Sequence, residues 1–176
     1  MRIIAGKYKG LILEKIKIDT IRPTMDRSKE SLFNIIQNEI IDADFLDLFS
    51  GSGNIGIEAI SRGANSVCCV EKNQEAIRII NKNISKINDN IEIYKNDVES
   101  FLLKTKKSYD IIFMDPPYNY EVDKIKNNIN IIKENNLLKE NGMIIVEYGK
   151  EIKLENLIKV KKYGKSYFMF LKMEEK

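Results

Sequence analysis

The feature that most constrains the fold is a regular alternation of short apolar runs and longer amphipathic segments between residues 45 and 147. Strands that alternate with helices form βαβ units, whose strands are parallel and whose crossovers are right-handed. The pattern therefore predicts an α/β protein with a Rossmann-like, doubly wound and mostly parallel sheet. The expected strands are Phe45–Phe49, Ser66–Val70, Ile91–Tyr94, Tyr109–Met114 and Met143–Glu147, and the expected helices are Asn54–Arg62, Asn73–Ile87, Val98–Lys104 and Val122–Glu134.

Two predicted hairpins flank this core. Near the C-terminus, Ile158–Tyr163 and Tyr167–Leu171 are too close together for a helical crossover, so we expect an antiparallel hairpin at the edge of a seven-stranded sheet. Near the N-terminus, Arg2–Ala5 and Leu11–Glu14 predict a second hairpin, followed by a helix with one apolar face. We expect a single domain over residues 1–176, with the N-terminal hairpin and helix in residues 1–40 and the core in residues 41–176.

The composition excludes several classes of function. No histidine is present, which removes histidine-based catalysis and most zinc sites, so we expect no metal. No apolar run approaches the roughly 18 residues that a membrane helix needs, and the first residues lack the core of a signal peptide. The only cysteines, Cys68 and Cys69, are adjacent in an apolar run and are expected to be reduced core residues of a cytoplasmic protein.

The N-terminal segment carries most of the positive charge. Residues 1–29 hold eight basic and three acidic side chains, a net charge of +5, whereas the remaining residues have a net charge of −2. A basic segment on a near-neutral body suggests contact with a polyanion. The predicted hairpin loop could place Lys7 and Lys9 on a phosphate backbone and leave Tyr8 free to stack on a base. It could equally be an edge hairpin that its lysines protect from aggregation.

A glycine-rich turn follows the first core strand. Gly51, Gly53 and Gly56 let the backbone approach a ligand closely and place amide groups at the start of a helix. They also fit the dinucleotide pattern G-x-G-x-x-G, with Glu71 twenty positions after Gly51, so a nicotinamide-dependent oxidoreductase is one interpretation. Asp47 argues against it, because a carboxylate just ahead of the turn would repel a pyrophosphate and would suit a cationic ligand.

Acidic residues stand at the carboxyl ends of four successive predicted strands: Asp47, Glu71, Asp97 and Asp115. Open α/β sheets bind their ligands at this edge. Each acid alone could cap a helix, but the four together are typical of a ligand site. The last acid opens the sequence Asp115-Pro116-Pro117-Tyr118, in which a carboxylate, two prolines and an aromatic ring end a buried strand.

These motifs resemble those of class I S-adenosylmethionine-dependent methyltransferases. More narrowly, the chain resembles the bacterial RsmD family, which methylates the N2 amine of a guanine in 16S ribosomal RNA. The resemblance covers nearly the whole chain, and the glycine-rich turn combined with Asp-Pro-Pro-Tyr is specific for methyltransferases that act on amino groups. The matching segments are Arg2–Gly6, Lys9-Gly10, Arg22–Thr24, Asp26-Arg27, Glu30–Asn34, Asp47–Gly53, Gly56, Glu58-Ala59, Ser61–Ala64, Asp115–Tyr118 and Tyr163-Gly164.

The resemblance implies S-adenosyl-L-methionine as the cofactor and assigns a role to each site residue. Asp115 and the Pro116 carbonyl would accept hydrogen bonds from the target amine, and Tyr118 would stack on the base. The residues implied in cofactor binding are Asp47, Phe49, Gly51 and Gly53 for the methionine portion, Glu71 for the ribose, and Asp97 with Val98 for the adenine.

The resemblance further implies that the protein binds 16S ribosomal RNA or the small ribosomal subunit, and we expect it to be a monomer. Because Asp-Pro-Pro-Tyr serves both guanine N2 and adenine N6 amines, an N6-adenine methyltransferase acting on DNA or RNA is the main alternative. A non-catalytic RNA-binding or assembly protein with the same fold is another. The residues implied in RNA binding are Arg2, Lys7, Lys9, Arg22, Thr24 and Arg27.

Overall fold

The protein, as a computed structural model, is described over residues 1–16 and 24–172. No helix among these residues is long and apolar enough to cross a membrane. The predicted bounds of the helices Val98–Lys104 and Val122–Glu134 and of the strand Tyr109–Met114 are confirmed, and the other core elements, apart from the fifth strand, differ from prediction by one to three residues. The strands are β1 (Asp44–Leu48), β2 (Ser66–Glu71), β3 (Ile91–Lys95), β4 (Tyr109–Met114), β5 (Leu138–Tyr148), β6 (Leu157–Tyr163) and β7 (Ser166–Lys172), and the helices are α1 (Thr24–Ile35), α2 (Asn54–Ser61), α3 (Gln74–Ile84), α4 (Val98–Lys104) and α5 (Val122–Glu134).

The strands form one seven-stranded sheet in the order β3-β2-β1-β4-β5-β7-β6. β1 to β5 pair in parallel, and β7 is antiparallel to both of its neighbours, β5 and β6. The predicted fold, a mostly parallel sheet with an antiparallel C-terminal hairpin, is therefore confirmed. The strand order reverses at β1, which lies between β2 and β4, and such switch points are where open α/β sheets bind ligands at the carboxyl edge.

Both faces of the sheet are covered, which explains why the central strands are continuous apolar runs. On one face, Phe45 and Phe113 pack with the N-terminal segment, α1 and α2. On the other face, Leu46 and Ile112 pack with α4 and α5. Because side chains alternate along a strand, the sequence position of a residue in β1, β4 or β5 determines which of these two cores it joins.

β5 begins five residues earlier than predicted, at Leu138 rather than Met143. The added residues include polar, exposed side chains, so they carry no strand pattern in the sequence. They pair nevertheless, with Leu138 opposite Tyr109. Gly142 permits this close approach, because a Cβ at that position would lie 2.9 Å from the carbonyl oxygen of Asp110. The extension lies at the amino edge of the sheet, away from the ligand edge.

The N-terminal hairpin is present in reduced form. One bridge joins Arg2 and Ile12, and the amide of Ile3 donates to the carbonyl oxygen of Leu11 at 3.0 Å. The helix that follows is also shorter than its apolar spacing predicts, since α1 ends at Ile35 while the next apolar positions continue to be buried in turns. The hairpin nevertheless keeps a defined place on the surface formed by α2 and α3.

A buried ion network fixes the N-terminal segment to α2. Glu58 is fully buried and accepts hydrogen bonds from the amides of Ile4 and Ala5 at 2.9 and 3.1 Å. Its charge is balanced by Lys29 of α1 at 2.9 Å and by Arg62 at 2.8 Å. Burial lowers the pKa of Lys29, and the attraction of Glu58 opposes that shift. Removing one partner would leave an uncompensated buried charge, so the segment is part of the folded core.

Candidate active site at the carboxyl edge of the sheet

A compact turn joins β1 to α2. Phe49 has a left-handed backbone with φ 64°, and Gly51 and Gly53 have φ 56° and 76°. The Ser50 hydroxyl donates to the carbonyl oxygen of Asp47 at 2.6 Å, and the Gly53 amide donates to the carbonyl oxygen of Ser50 at 2.8 Å. A non-glycine residue held in the left-handed region is a feature often found at functional sites. The turn is therefore fixed by its own hydrogen bonds.

Asp47 lies beneath this turn and is almost completely buried. Its Oδ2 accepts a hydrogen bond from the amide of Gly56 at 3.1 Å. Gly56 is required there, because a Cβ would lie 2.9 Å from Cys69 Sγ and 3.4 Å from Asp47 Oδ2. Burial raises the pKa of Asp47 to about 8, the Gly56 hydrogen bond lowers it, and the charge of Glu71 raises it further. A positively charged ligand nearby would stabilise the ionised carboxylate.

Glu71 and Asp97 occupy the ends of the next two strands. The Glu71 carboxylate accepts the Gly51 amide at 2.9 Å through one oxygen and the Asn73 amide at 2.8 Å through the other. Each carboxylate oxygen has a second lone pair that can accept a hydroxyl hydrogen bond. Asp97 stands at the N-cap of α4, but its carboxylate makes no capping hydrogen bond within the described residues, while Val98 is buried beneath it. The capping interpretation of Asp97 is therefore wrong for its side chain.

Asp115 follows β4 directly and lies beside Glu147, because Met114 pairs with Val146 of β5. Although the Asp115 side chain keeps solvent-exposed surface, the surrounding strand ends remove much of its hydration. This desolvation, followed by the charges of Glu147 and Asp47, raises the pKa of Asp115 well above its usual range. Desolvation also raises the pKa of Glu147, against a hydrogen bond from Ser166. The edge therefore favours ligands that carry positive charge or hydrogen-bond donors.

The loop after Asp115 is hydrogen-bonded to β5 and packs against the glycine-rich turn. The Tyr120 amide donates to the carbonyl oxygen of Pro117 at 2.8 Å, and the Tyr148 hydroxyl of β5 donates to the carbonyl oxygen of Tyr120 at 2.6 Å. The Tyr120 ring packs edge-on against Phe49, with centroids 5.0 Å apart. Tyr118 presents 67% of its surface to solvent. The loop thus joins the glycine-rich turn to β5 and exposes one aromatic ring.

The structure brings the predicted cofactor and catalytic residues to one edge, and it adds two that the sequence interpretation missed. Glu147 lies one residue before the end of β5, as Asp47 does in β1, so the rule that identified the strand-end acids could have found it. Asn83 is fully buried in α3, and its side chain donates to the carbonyl oxygens of Ser52 and Glu14 at 2.9 and 3.1 Å. No sequence pattern signals Asn83, because its partners are distant in the chain.

The predicted RNA contacts are divided between two ends of the molecule. Arg2 and Arg27 are exposed. The Lys29 side chain donates to the carbonyl oxygen of Arg2 and to Oδ1 of Asn54 at the start of α2, which places this segment near the ligand edge. The hairpin tip instead contacts the end of α2 and the loop before β3, at the amino edge. Its exposed Lys9 and the partly ion-paired Lys7 therefore lie away from Asp115. Arg22 lies outside the described residues, and Thr24 begins α1.

One expectation for the hairpin tip is wrong. Tyr8 is not free to stack on a base, because its hydroxyl donates to Asp89 at 2.6 Å and accepts the Asn88 amide at 3.0 Å. The hydroxyl hydrogen bond from Tyr8 and the ion pair with Lys7 lower the pKa of Asp89. The physical reason is a contact between residues about 80 positions apart, which local sequence cannot reveal.

The C-terminal hairpin adds positive charge at the ligand edge. β6 runs in the same direction as β5, so its carboxyl end and the turn into β7 lie at the same edge as Asp115. Lys161, Lys162 and Lys165 are exposed there. Lysines on an edge strand also prevent aggregation, so their charge alone does not assign a role to them.

Comparison with known proteins agrees with this geometry. A family model described as "Conserved hypothetical protein 95" matches residues 1–172. "Ribosomal RNA small subunit methyltransferase D" of Buchnera aphidicola is 41% identical over 149 residues, covering 84% of this chain and 75% of the relative. The solved structure of yhhF from Escherichia coli superposes with a TM-score of 0.85 at 32% identity, covering 97% of this chain and 96% of that one.

A more distant solved structure shares the fold alone. It is the Thermus thermophilus 16S rRNA N2 G1207 methyltransferase RsmC in complex with AdoMet and guanosine, with a TM-score of 0.69 and 17% identity over 90% of this chain and 45% of that one. The strand order and the carboxyl-edge site define the fold of class I methyltransferases. The chain belongs to the family described as "Conserved hypothetical protein 95", and the predicted membership of the RsmD family is confirmed.

Proposed function

We propose that this protein transfers a methyl group from S-adenosyl-L-methionine to the exocyclic N2 amine of a guanine in 16S ribosomal RNA. The observation that carries the proposal is the position of Asp115–Tyr118 beside the strand-end acids Asp47 and Glu71, in a loop fastened to the glycine-rich turn. A relative that is 41% identical is named a small-subunit ribosomal RNA methyltransferase, which supports the substrate class.

The described residues fit the proposed cofactor. When bound, S-adenosyl-L-methionine supplies an electrophilic methyl group on a positively charged sulfur. Asp47 would stabilise that charge, because a charge–charge interaction is stronger in its buried, low-dielectric environment than in water. Glu71 would accept hydrogen bonds from the ribose hydroxyls, and Asp97 would accept one from the adenine amine above the buried Val98.

The catalytic role falls to groups that orient the amine. The lone pair of an exocyclic guanine amine is delocalised into the ring, which makes the nitrogen a poor nucleophile. Asp115 and the Pro116 carbonyl would accept its two N–H bonds and favour a pyramidal nitrogen with its lone pair aimed at the methyl group. Tyr118 would stack on the base after it has left its neighbours in the RNA. Orientation and preorganised electrostatics would then supply most of the rate enhancement.

RNA contact is proposed for the basic residues at the ligand edge, and the protein is proposed to act as a monomer in the cytoplasm. Arg2 and Arg27 adjoin the site, and Arg22 and Thr24 precede Arg27 in the chain. The two cysteines are free and buried, as expected in a reducing compartment. The tip residues Lys7 and Lys9 would reach only RNA that extends around to the amino edge.

Transfer of labelled methyl groups, followed by nucleoside analysis, tests the proposal. The substrates are small ribosomal subunits lacking the modification, naked 16S RNA, and duplex DNA, each with S-adenosyl-L-methionine. N2-methylguanosine from either ribosomal substrate is the expected product, and the better substrate identifies the assembly stage. Detection of N6-methyladenine would show that the target base is adenine and not guanine. Cofactor binding without transfer to any substrate would contradict the proposal and favour a non-catalytic role, whereas nicotinamide binding would favour an oxidoreductase.

A further inference from the structure

Glu147 occupies a position that the proposed chemistry above does not yet use. Phe113 pairs with Ile145, and both belong to the core beneath the N-terminal segment. Asp115 and Glu147 each lie two residues further along neighbouring strands, and the period of two in strand geometry directs both to that same face. Neighbouring strands are about 4.8 Å apart. The two carboxyl groups are therefore adjacent at one level of the ligand edge.

The exposed ring of Tyr118 lies over the same strand end. A Cβ on Gly149 would lie 3.3 Å from Tyr118 Cδ1, so the ring contacts the backbone two residues beyond Glu147. The Tyr148 hydroxyl bond to the Tyr120 carbonyl holds the loop in this place. A base stacked on Tyr118, with its amine at Asp115 and its Watson–Crick edge toward β5, would therefore have N1 near Glu147.

The chemistry of N1 differs between the two candidate bases. In guanine, the N2 amine stands between N3 and N1–H, and N1–H, on the Watson–Crick edge, is a donor. In adenine, the N6 amine stands beside N1 on the same edge, and this N1 is an acceptor. Resting on the function proposed above, we propose that Glu147 accepts a hydrogen bond from guanine N1–H and is the residue that makes this site select guanine over adenine.

The electrostatics of the pair agree with this role. Desolvation raises the pKa of both carboxyl groups. The negative charge of Glu147 raises the pKa of Asp115 further. Two adjacent carboxyl groups gain most from a ligand edge that offers adjacent donors. Guanine offers three N–H bonds along N1 and N2, whereas adenine would place its N1 lone pair against a carboxylate, which is repulsive.

The test changes the hydrogen-bonding character of the atom that Glu147 is proposed to contact. The target guanine, mapped first with the wild-type protein, is replaced by 2-aminopurine, which keeps the N2 amine, has an acceptor at N1 and lacks the 6-oxo group. Because both enzymes lose the 6-oxo group of the substrate, the difference between wild type and Glu147→Gln in the guanine to 2-aminopurine ratio reports on N1. We expect wild-type kcat/KM for this RNA to fall at least about 100-fold, since a site built to bind a donor rejects an analogue that lacks it. Glu147→Gln should lower kcat/KM for guanine but narrow the guanine to 2-aminopurine ratio at least about tenfold, because the amide can donate to N1.

Controls separate this role from a structural one. Glu151→Gln removes an exposed acid just beyond β5 and should leave the ratio unchanged. Cofactor binding by the Glu147 variant reports whether the fold is retained. If that variant does not fold, the comparison of the two RNA substrates with the wild-type protein remains as a test. Comparable methylation of 2-aminopurine and guanine by the wild type overturns the inference. An unchanged ratio in a folded variant also overturns it, while wild-type N2 methylation of guanine stands as separate support for the proposed function.

Discussion

Asp115 combines an acceptor carboxylate with direct access to solvent beside the exposed ring of Tyr118. We expect Asp115→Ala to lower turnover by more than about a hundredfold, on the scale of losing one preorganised polar contact to the reacting group. Cofactor affinity should change little, because Asp47 and Glu71 remain. Asp123→Ala, which removes an exposed acid at the start of α5, is the matched control. Single-turnover methyl transfer and cofactor titration measure both effects, and near-normal turnover would refute the role of Asp115.

Asp47 makes stability depend on pH in the absence of cofactor. Its pKa is about 8 in the folded protein and about 4 when unfolded, so the folded state binds more protons between these values. The resulting stabilisation is complete below about pH 4 and is lost as the pH rises through about 8. Asp47→Asn keeps an acceptor for the Gly56 amide and removes the charge. We expect it to raise the free energy of unfolding at pH 8 by roughly 1–3 kcal/mol.

Urea unfolding of the cofactor-free protein between pH 5 and 9 measures this effect. The wild type should lose stability with rising pH more steeply than Asp47→Asn. The same substitution at the exposed Asp42, a residue with φ 58° that asparagine tolerates, is the control and should leave the slope unchanged. Affinity for the cationic cofactor should fall in Asp47→Asn more than affinity for its neutral demethylated product. Equal losses for the two ligands would mean that Asp47 does not contact the positive charge.

At the scale of elements, the N-terminal hairpin offers a comparison between two glycines of similar backbone. Gly6 and Gly10 have φ 83° and 88°, so alanine is strained by about 1–2 kcal/mol at either position. A Cβ at Gly6 would lie 1.7 Å from the carbonyl oxygen of Ser61, whereas a Cβ at Gly10 has no heavy atom within 4 Å. We therefore expect Gly6→Ala to destabilise the protein by at least about 2 kcal/mol more than Gly10→Ala.

Hydrogen exchange identifies where that loss occurs. In Gly6→Ala, the amides of Ile4 and Ala5, which donate to the buried Glu58, should lose protection, while β4 should retain it. Because the other end of the hairpin contacts the glycine-rich turn through Asn83, cofactor affinity should also weaken. Equal stability of the two variants would show that the hairpin is not held against α2 in solution.

The elements that sequence predicts well are those whose signal is local. The alternation of apolar runs identifies β1, β4 and the helices between them, because burial on both faces leaves a continuous apolar signature. The strand-end acids follow from the same pattern. The first part of β5 is missed, since Glu140 and Asn141 are exposed there. In the sequence, Lys29 and Glu58 are charged residues of a kind usually found at the surface. They form a buried ion pair only because the fold brings together positions that are 29 residues apart.

At the scale of the whole molecule, positive charge is distributed over two opposite edges. The start of α1 and the β6–β7 turn lie at the carboxyl edge, whereas the hairpin tip lies at the amino edge. Lys7 is also paired with Asp89 at 3.1 Å, so part of its charge is already compensated. RNA whose target base enters at Asp115 must bring its phosphates closest to the carboxyl edge.

This geometry predicts unequal effects from removing equal charge. Replacing both Arg27 and Lys165 by glutamine should reduce the slope of log affinity against log salt concentration. The slope should become less negative by about 0.7 for each phosphate of single-stranded RNA that the variant no longer neutralises. The matched pair Lys7→Gln and Lys9→Gln removes the same charge from the amino edge and should leave the slope nearly unchanged. Affinity for unmodified 16S RNA, measured from about 50 to 300 mM salt with the cofactor product bound, gives both slopes. A larger change for the amino-edge pair would mean that RNA extends along α2 to the hairpin tip, and equal changes would mean that binding follows net charge alone.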